Sequence, residues 1–462
     1  MSDSPLLILG VDGLDWEYVD AHRAELPTLS GWPVLRPLRS VFPPDSIAAW
    51  TTIFTGIPPG DHGFLDSIDY LSKRPASAAE AAGRTLTNAT FWDEATRRGE
   101  RVCVINPFLA YPAWDVNGMM LAGPVFVSGE VSVTGRELDE LGELPQLGGV
   151  VDFPTERTMG AFIDDSLRGT REQADFGLRM LELTSPDLFF LNVLTLDRLQ
   201  HFVWRFADPD DPTYPGPNPH GEALAESYRL IDSIAAEYAR HGRVLVISDH
   251  GHGMRPTRMV FIDEALRRAG LLREARSAPR LLSRSYWLER AKRRGLELAY
   301  RFSLEEPAYR VGRRLPGRKS IKESSFSSNA GTSPARLSRT FGRNRHSGIE
   351  LGHDTPEARQ AVIEVLEDIR DPETGEGVVD WATGREEVVQ GRSVDRYPEI
   401  LFRLRDGYGV DYGIYGDLFG PDANHRRISG GHREHGVLAT SFDAPGAPEG
   451  IDGIHDFVLS EL

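Results

Sequence analysis

Residues 6–13 read "LLILGVDG", an apolar run that ends on an aspartate and a glycine. A half-exposed strand alternates apolar and polar residues; this one does not. A run with no polar face is expected where both faces are covered, as in a parallel sheet. The same form returns at "RVCVI" (101–105), "LFFLNVL" (188–194), "RVLVIS" (243–248) and "GVLATSF" (436–442). Helical periodicity fills the intervals at 86–99, about 157–183, 220–240, 257–269 and 356–369. Strand and helix alternating at this length predict an α/β fold: a doubly wound, mostly parallel sheet with helices on both faces.

Three of these strands lead to acid. "LLILGVDG" delivers Asp12, "LFFLNVLTLD" delivers Asp197, and "RVLVISDHG" delivers Asp249 with His250. Ligands of open α/β sheets bind outside the carboxyl ends of the strands. One such aspartate is as readily a helix cap as a ligand. Three, with histidines attached, point to a site. Asp197 and His201 are four apart in "DRLQH", on one face if a helix starts there. His432 lies in "GGHREHGVL", just before an apolar strand, with His435 as a competing candidate three residues on. Asp/His sets without cysteine suit zinc, manganese or similar ions at a hydrolytic centre.

The stretch "SVFPPDSIAAWTTIFTG" (40–56) places a hydroxyl, Ser46, at a proline-stiffened corner between strand and helix. One reading makes Ser46 the N-cap of "IAAWTTIFT", with Gly56 ending the helix. The other makes it a nucleophile, which metal coordination can activate. The two are compatible, because a helix N-terminus also attracts phosphate oxygens. Asp45, just before it, brings a negative charge to a corner suited to anions.

The chain has 462 residues, 40% of them hydrophobic, enough for a large core. Its net charge of −17 argues against general nucleic-acid binding. The charge is uneven. Residues 267–345 hold 21 Lys+Arg against 6 Asp+Glu, a net of +15, so the rest carries −32. Only four lysines occur (Lys73, Lys292, Lys319 and Lys322), and an acidic, lysine-poor surface suits high ionic strength, as in a halophile. The expected organisation is a catalytic core of 1–266 and 346–462, interrupted by a basic, partly mobile insertion or cap at 267–345. That segment is a solvated linker or a patch that meets an anionic substrate, lipid headgroup or acidic partner. The single Cys103 excludes an internal disulfide and is expected inside a strand. No apolar run of transmembrane length appears, and the N-terminus reads as a first strand rather than a signal peptide, so a cytoplasmic location is expected.

Together these segments resemble the alkaline phosphatase superfamily, most closely its type I phosphodiesterase/nucleotide pyrophosphatase branch. "GVDGLDW" is similar to that family's first metal motif, and "FPPDSIAAWTTIFTGIPPGDHGFLD" to its nucleophile segment. "LDRLQHFVW", "VISDHGHG" and "GGHREHGVL" resemble its three later metal motifs. The resemblance implies two divalent ions, zinc or alternatively manganese. One would be held by Asp12, Ser46, Asp249 and His250, the other by Asp197, His201 and His432. It implies attack on phosphorus by Ser46, then release of product by an activated water, on a small-molecule phosphate ester such as a nucleotide. Other activities of the superfamily stay open: phosphomonoesterase, phosphonate hydrolase or phosphomutase. So does a non-catalytic metal-binding scaffold that uses its basic insertion. The family's usual nucleophile is Thr, and Ile47-Ala48-Ala49 stands where it has x-Pro-Ala. A sulfatase is disfavoured, since no Cys/Ser-x-Pro-x-Arg motif surrounds Ser46.

Overall fold

A computed structural model describes residues 4–65, 86–125, 129–135, 140–147, 154–273, 287, 291, 294–295, 298, 333–342, 344–414, 416–422 and 424–462. The chain divides into two compact units, Met1–Gly253 with Gly430–Leu462, and Met254–Ser429. In chain order the first unit contributes β1 (Leu6–Val11), β2 (Val34–Arg39), β3 (Val102–Ile105), β4 (Gly118–Ala122), β5 (Ser132–Gly135), β6 (Leu188–Val193), β7 (Arg243–Ile247) and β8 (Gly251–Met254). The second contributes β9 (Arg258–Phe261), β10 (Ala335–Leu337), β11 (His346–Leu351), β12 (Val379–Gly384), β13 (Ile400–Leu404), β14 (Tyr408–Asp411) and β15 (Phe419–Pro421). The chain returns to the first unit with β16 (Gly430–Arg433) and β17 (His435–Thr440).

The first unit is built on an eight-stranded sheet ordered β2-β17-β7-β1-β6-β3-β4-β5. Pairing is parallel from β7 through β1, β6 and β3 to β4. β1 is buried at every position, as its sequence requires. The side chains divide by strand parity. Phe190 packs on Trp50, Phe54, Phe91 and Trp92 on one face, while Phe189 meets Tyr238 on the other. The helices Met159–Thr184 and Ala223–Tyr238 serve that second face, where the Tyr238 hydroxyl donates to the Ala174 carbonyl at 2.8 Å. Cys103 is buried in β3.

Two expectations are corrected. The run 436–442 supplies β17, but β17 is antiparallel to both β7 and β2. A strand covered on both faces reads the same in either direction; the connection sets its sense. Residues 257–269 are not one helix. They form β9, paired on both sides by β14 and β15, then a short helix Ile262–Arg268. The second unit has its own core around Val260, Ile349 and Phe402. Its limits, 254 and 429, lie outside the charge-defined segment 267–345, and most of that basic segment falls outside the described residues.

The helix Ser46–Thr55 decides where the hydroxyl sits. Its N-cap is Asp45, not Ser46: the Asp45 carboxylate accepts the Ile47 amide at 3.0 Å. Gly56, at φ +67°, ends the helix in the left-handed region, as a glycine there allows. Ser46 is therefore the first helical residue, with its side chain free for other work. Nine of the ten helix residues are buried. Trp50 lies against Gly10 of β1, where an added Cβ would sit 2.8 Å from Trp50 Cη2 and 3.0 Å from Asn192 Oδ1.

Gly10→Ala is expected to destabilise the protein by about 1–3 kcal/mol through overpacking against Trp50. Equilibrium urea unfolding measures this; an unchanged midpoint would mean that the helix is not seated on β1 as described. Asp45→Ala should remove about 1 kcal/mol by loss of the cap, whereas Asp45→Asn should keep most of it. Equal midpoints for the two variants would refute the capping role.

Candidate active site

β7, β1 and β6 are neighbours in register, with Gly10 opposite both Ile247 and Asn192. Their carboxyl ends therefore reach one edge together. β1 runs into Asp12. β6 ends at Val193, and Asp197 follows in the first turn of the helix Thr195–Ala207. β7 ends at Ile247, just before Asp249 and His250. Gly13 must be glycine at this edge: its φ is +72°, and a Cβ would meet Asp197 Cβ at 3.0 Å.

Two groups of side chains result. Asp12, Asp249 and His250 form one, fully buried; Asp197, His201, His252 and His432 form the other. In the first, His250 Nε2 lies 3.6 Å from Asp12 Oδ1 and 3.3 Å from Asp249 Oδ2. Ser46 joins it, with Oγ 3.0 Å from His250 Nε2 and 3.3 Å from Asp12 Oδ1. The Trp50 indole donates to Asp12 Oδ2 at 3.1 Å, and the Gly13 amide to Asp249 Oδ1 at 3.2 Å. In the second, Asp197 Oδ2 is 3.4 Å from His201 Nε2, and Asp197 Oδ1 is 3.5 Å from His432 Nε2. The His250 and His432 rings, one from each group, stack at 4.0 Å.

Three histidines are aimed by backbone carbonyls. Nδ1 of His201 meets the Gly430 carbonyl, that of His432 the Pro44 carbonyl, and that of His250 the Gly251 carbonyl, each at 3.0 Å. An Nδ1–H so tied leaves Nε2 with its lone pair directed at the site. Farther out, the Gln200 amide donates to the Gly13 carbonyl, the Tyr228 hydroxyl to Gln200 Oε1, and the Asp15 amide to the Tyr228 oxygen.

The electrostatics follow from crowding. Burial, then the Asp249 and Asp197 carboxylates, push the Asp12 carboxyl well above its usual range. Burial and then Asp197 do the same to Asp249. For Asp197 burial acts in that direction too, but His201 and the other imidazoles outweigh it and hold the group well below the usual range. Burial, then His432, pushes His250 down, and burial pushes His252 to about 3. The result is close carboxylates beside His250 and His252 imidazoles that burial holds toward the neutral form, a set that cations would stabilise. Asp249 Oδ2 and His252 Nε2 are buried without a hydrogen bond, while His252 Nδ1 meets Asp197 Oδ1 at 3.0 Å. Buried polar atoms seldom stay so. The ligand atoms within each group lie within 4.8 Å of one another, so the residues fit metal ions.

All seven positions singled out from sequence meet in the first unit, within these two groups and Ser46. His435, the alternative to His432, is instead exposed at the start of β17, opposite Arg39. Sequence reasoning missed His252, Trp50 and the Asp15–Tyr228–Gln200 chain. His252 had a signal: it follows His250 by two residues at the entry to a strand, where alternate residues share a face. Trp50 and Tyr228 had none, since each reads as ordinary core.

No curated protein matches the sequence. Among solved structures, phosphonoacetate hydrolase from Sinorhizobium meliloti 1021 in complex with phosphonoformate aligns at 15% identity and a TM-score of 0.56, covering 99% of this chain and 96% of that one. The same enzyme in complex with phosphonoacetate aligns at 14% identity with the same TM-score and coverage. At that identity the likeness is one of fold, the α/β architecture described above. The family model for type I phosphodiesterase / nucleotide pyrophosphatase matches residues 6–437. That match spans β1 to β17 and every residue of both groups, and the chain belongs to the type I phosphodiesterase/nucleotide pyrophosphatase family.

Proposed function

We propose that this phosphoryl-transfer hydrolase cleaves phosphate esters, of the phosphodiester or nucleotide pyrophosphate type, with Ser46 as nucleophile. The observation that carries this reading is the position of Ser46 Oγ. It is the first residue of a buried helix, within 3.3 Å of Asp12 and 3.0 Å of His250. Asp12, Asp249, His250 and Ser46 would hold one divalent ion; Asp197, His201 and His432 would hold the second, with zinc or manganese as candidates. Bound there, the ions would supply charge stabilisation for a pentavalent phosphorus and would lower the pKa of oxygen nucleophiles.

The chain's own groups do the rest. With Nδ1–H given to the Gly251 carbonyl, His250 turns its one free lone pair, on Nε2, toward the point it shares with Ser46 Oγ and Asp12, where an ion would sit; the orientation is assigned from these contacts. The N-terminus of the helix Ser46–Thr55 offers its partial positive charge to phosphate oxygens. The Asp45 carboxylate takes one of the donors there, the Ile47 amide. Trp50 fixes Asp12 and, through Gly10, the helix that carries Ser46. Displacement at phosphorus by Ser46 Oγ, whose proton passes to solvent, expels the first ester oxygen, which takes up a proton; water then forms a bond to phosphorus, breaks the bond to Ser46 Oγ and returns a proton to it.

A second reading, cleavage of a carbon–phosphorus bond, draws support from the fold shared along nearly the full chain with phosphonoacetate hydrolase. Rates on bis-p-nitrophenyl phosphate, p-nitrophenyl phosphate and phosphonoacetate separate the two.

Protein loaded with Zn²⁺ or Mn²⁺ is expected to hydrolyse bis-p-nitrophenyl phosphate or a nucleotide ester, and Ser46→Ala to lose roughly 10³-fold or more in kcat. Equal rates in the variant would remove Ser46 from the mechanism. Exhaustive chelation should abolish the activity and metal should restore it; activity that survives chelation, with no metal by elemental analysis, would overturn the metal-dependent reading.

A further inference from the structure

Gly13 stands between the two groups of side chains. Its amide donates to Asp249 Oδ1 at 3.2 Å, and its carbonyl accepts from Gln200 Nε2 at 2.8 Å. A Cβ added to it would sit 3.0 Å from Asp197 Cβ, and its φ of +72° is one that residues with a side chain rarely adopt. The turn is therefore held on both sides. On one side is Asp249, of the first group. On the other is Gln200, on the helix Thr195–Ala207 that also carries Asp197 and His201 of the second group.

Gln200 is 0% exposed, and its amide is used at both ends. The Tyr228 hydroxyl donates to Oε1 at 2.8 Å, which leaves Nε2 for the Gly13 carbonyl, an orientation assigned from these contacts. The Tyr228 oxygen accepts the Asp15 amide at 3.1 Å, and the Asp15 carboxylate accepts the Tyr18 and His252 amides at 2.7 and 3.0 Å. Burial, and then Asp15, push the Tyr228 hydroxyl well above its usual range, so it stays a donor. A buried path with each donor and acceptor matched is rigid. Stability alone does not ask for it, since a matched buried pair can be replaced by apolar groups of the same shape at little cost.

What the path fixes is a carboxylate. Asp249 Oδ1 is committed to the Gly13 amide, and Oδ2, which has no hydrogen bond, is left 3.3 Å from His250 Nε2. We infer that Gln200 is a positioning residue, with Tyr228 as its support: through the Gly13 turn it holds the Asp249 carboxylate so that Oδ2 faces the ion position of the first group. This rests on the metal-dependent reading given above. The same link joins the two groups, because Gln200 shares its helix with Asp197 and His201.

Gln200→Met, close in size but without a donor, and Tyr228→Phe, which removes one hydroxyl, test the assignment in the full chain. Anomalous diffraction from crystals soaked in Zn²⁺ reads each group separately, and chelator competition in solution gives the fold-change. Wild-type protein is expected to hold an ion at both groups. In Gln200→Met, retention at Asp12, Asp249 and His250 should fall by about 10–100-fold, the range of an outer-shell partner, while the ion at Asp197 stays. Tyr228→Phe should show the same selective loss to a smaller degree, and it alone carries the test where Gln200→Met does not fold. In metal-free crystals of Gln200→Met, Asp249 should have turned from the Gly13 amide. A residue that serves only the core would lower the urea midpoint and leave both ions and Asp249 in place. Wild-type retention in the folded variants, or equal loss from the two groups, would overturn the positioning role and leave the metal-dependent reading intact. No ion at either group of the wild-type protein would overturn both.

Discussion

Three carboxylates brought to one dry sheet edge are the constraint that the rest of the site answers to. Asp12 and Asp249 are buried and Asp197 half-buried, close enough together that the first two are driven toward the protonated form. Nothing in the sheet relieves this. The relief comes from imidazoles around Asp197 and from single donors such as Trp50 Nε1 and the Gly13 amide, and bound cations would complete it. A fold that merely needed stability would have replaced such a cluster with apolar side chains.

The helix Ser46–Thr55 shows where one charge at this edge is committed. Asp45 beside the corner hydroxyl of Ser46 looks like a liability in sequence. In the structure its carboxylate is committed to the helix N-terminus, where the dipole favours it. Capping by Asp45 also releases Ser46 from that task. Ser46 can therefore face Asp12 and His250 while the helix is pinned by Trp50 against Gly10.

The orientation of the ligands is supplied from far along the chain. Pro44 holds His432, and Gly430 holds His201 while closing on His252. These positions lie some hundreds of residues apart, and the second compact unit, Met254–Ser429, is inserted between them. The short pair of β8 with β16 brings the two stretches of the first unit together. The site is thus completed only when the chain has returned from its insertion.

By itself the sequence determined the α/β class and five buried strands, and it singled out seven residues, Asp12, Ser46, Asp197, His201, Asp249, His250 and His432, that the fold brings to one edge. Those features are local: a run apolar on both faces, an acid at its end, a histidine four residues on. It did not determine the direction of β17, since burial on both faces leaves no mark of sense. Nor did it distinguish a helix from β9 at 257–261, where a short apolar run suits either. The tertiary structure alone decided that Asp45 rather than Ser46 is the cap and that His252 lies beside Asp197. Each of these depends on which remote carbonyl, amide or ring is within 3–4 Å, and that distance is set by packing between segments, not by spacing along the chain.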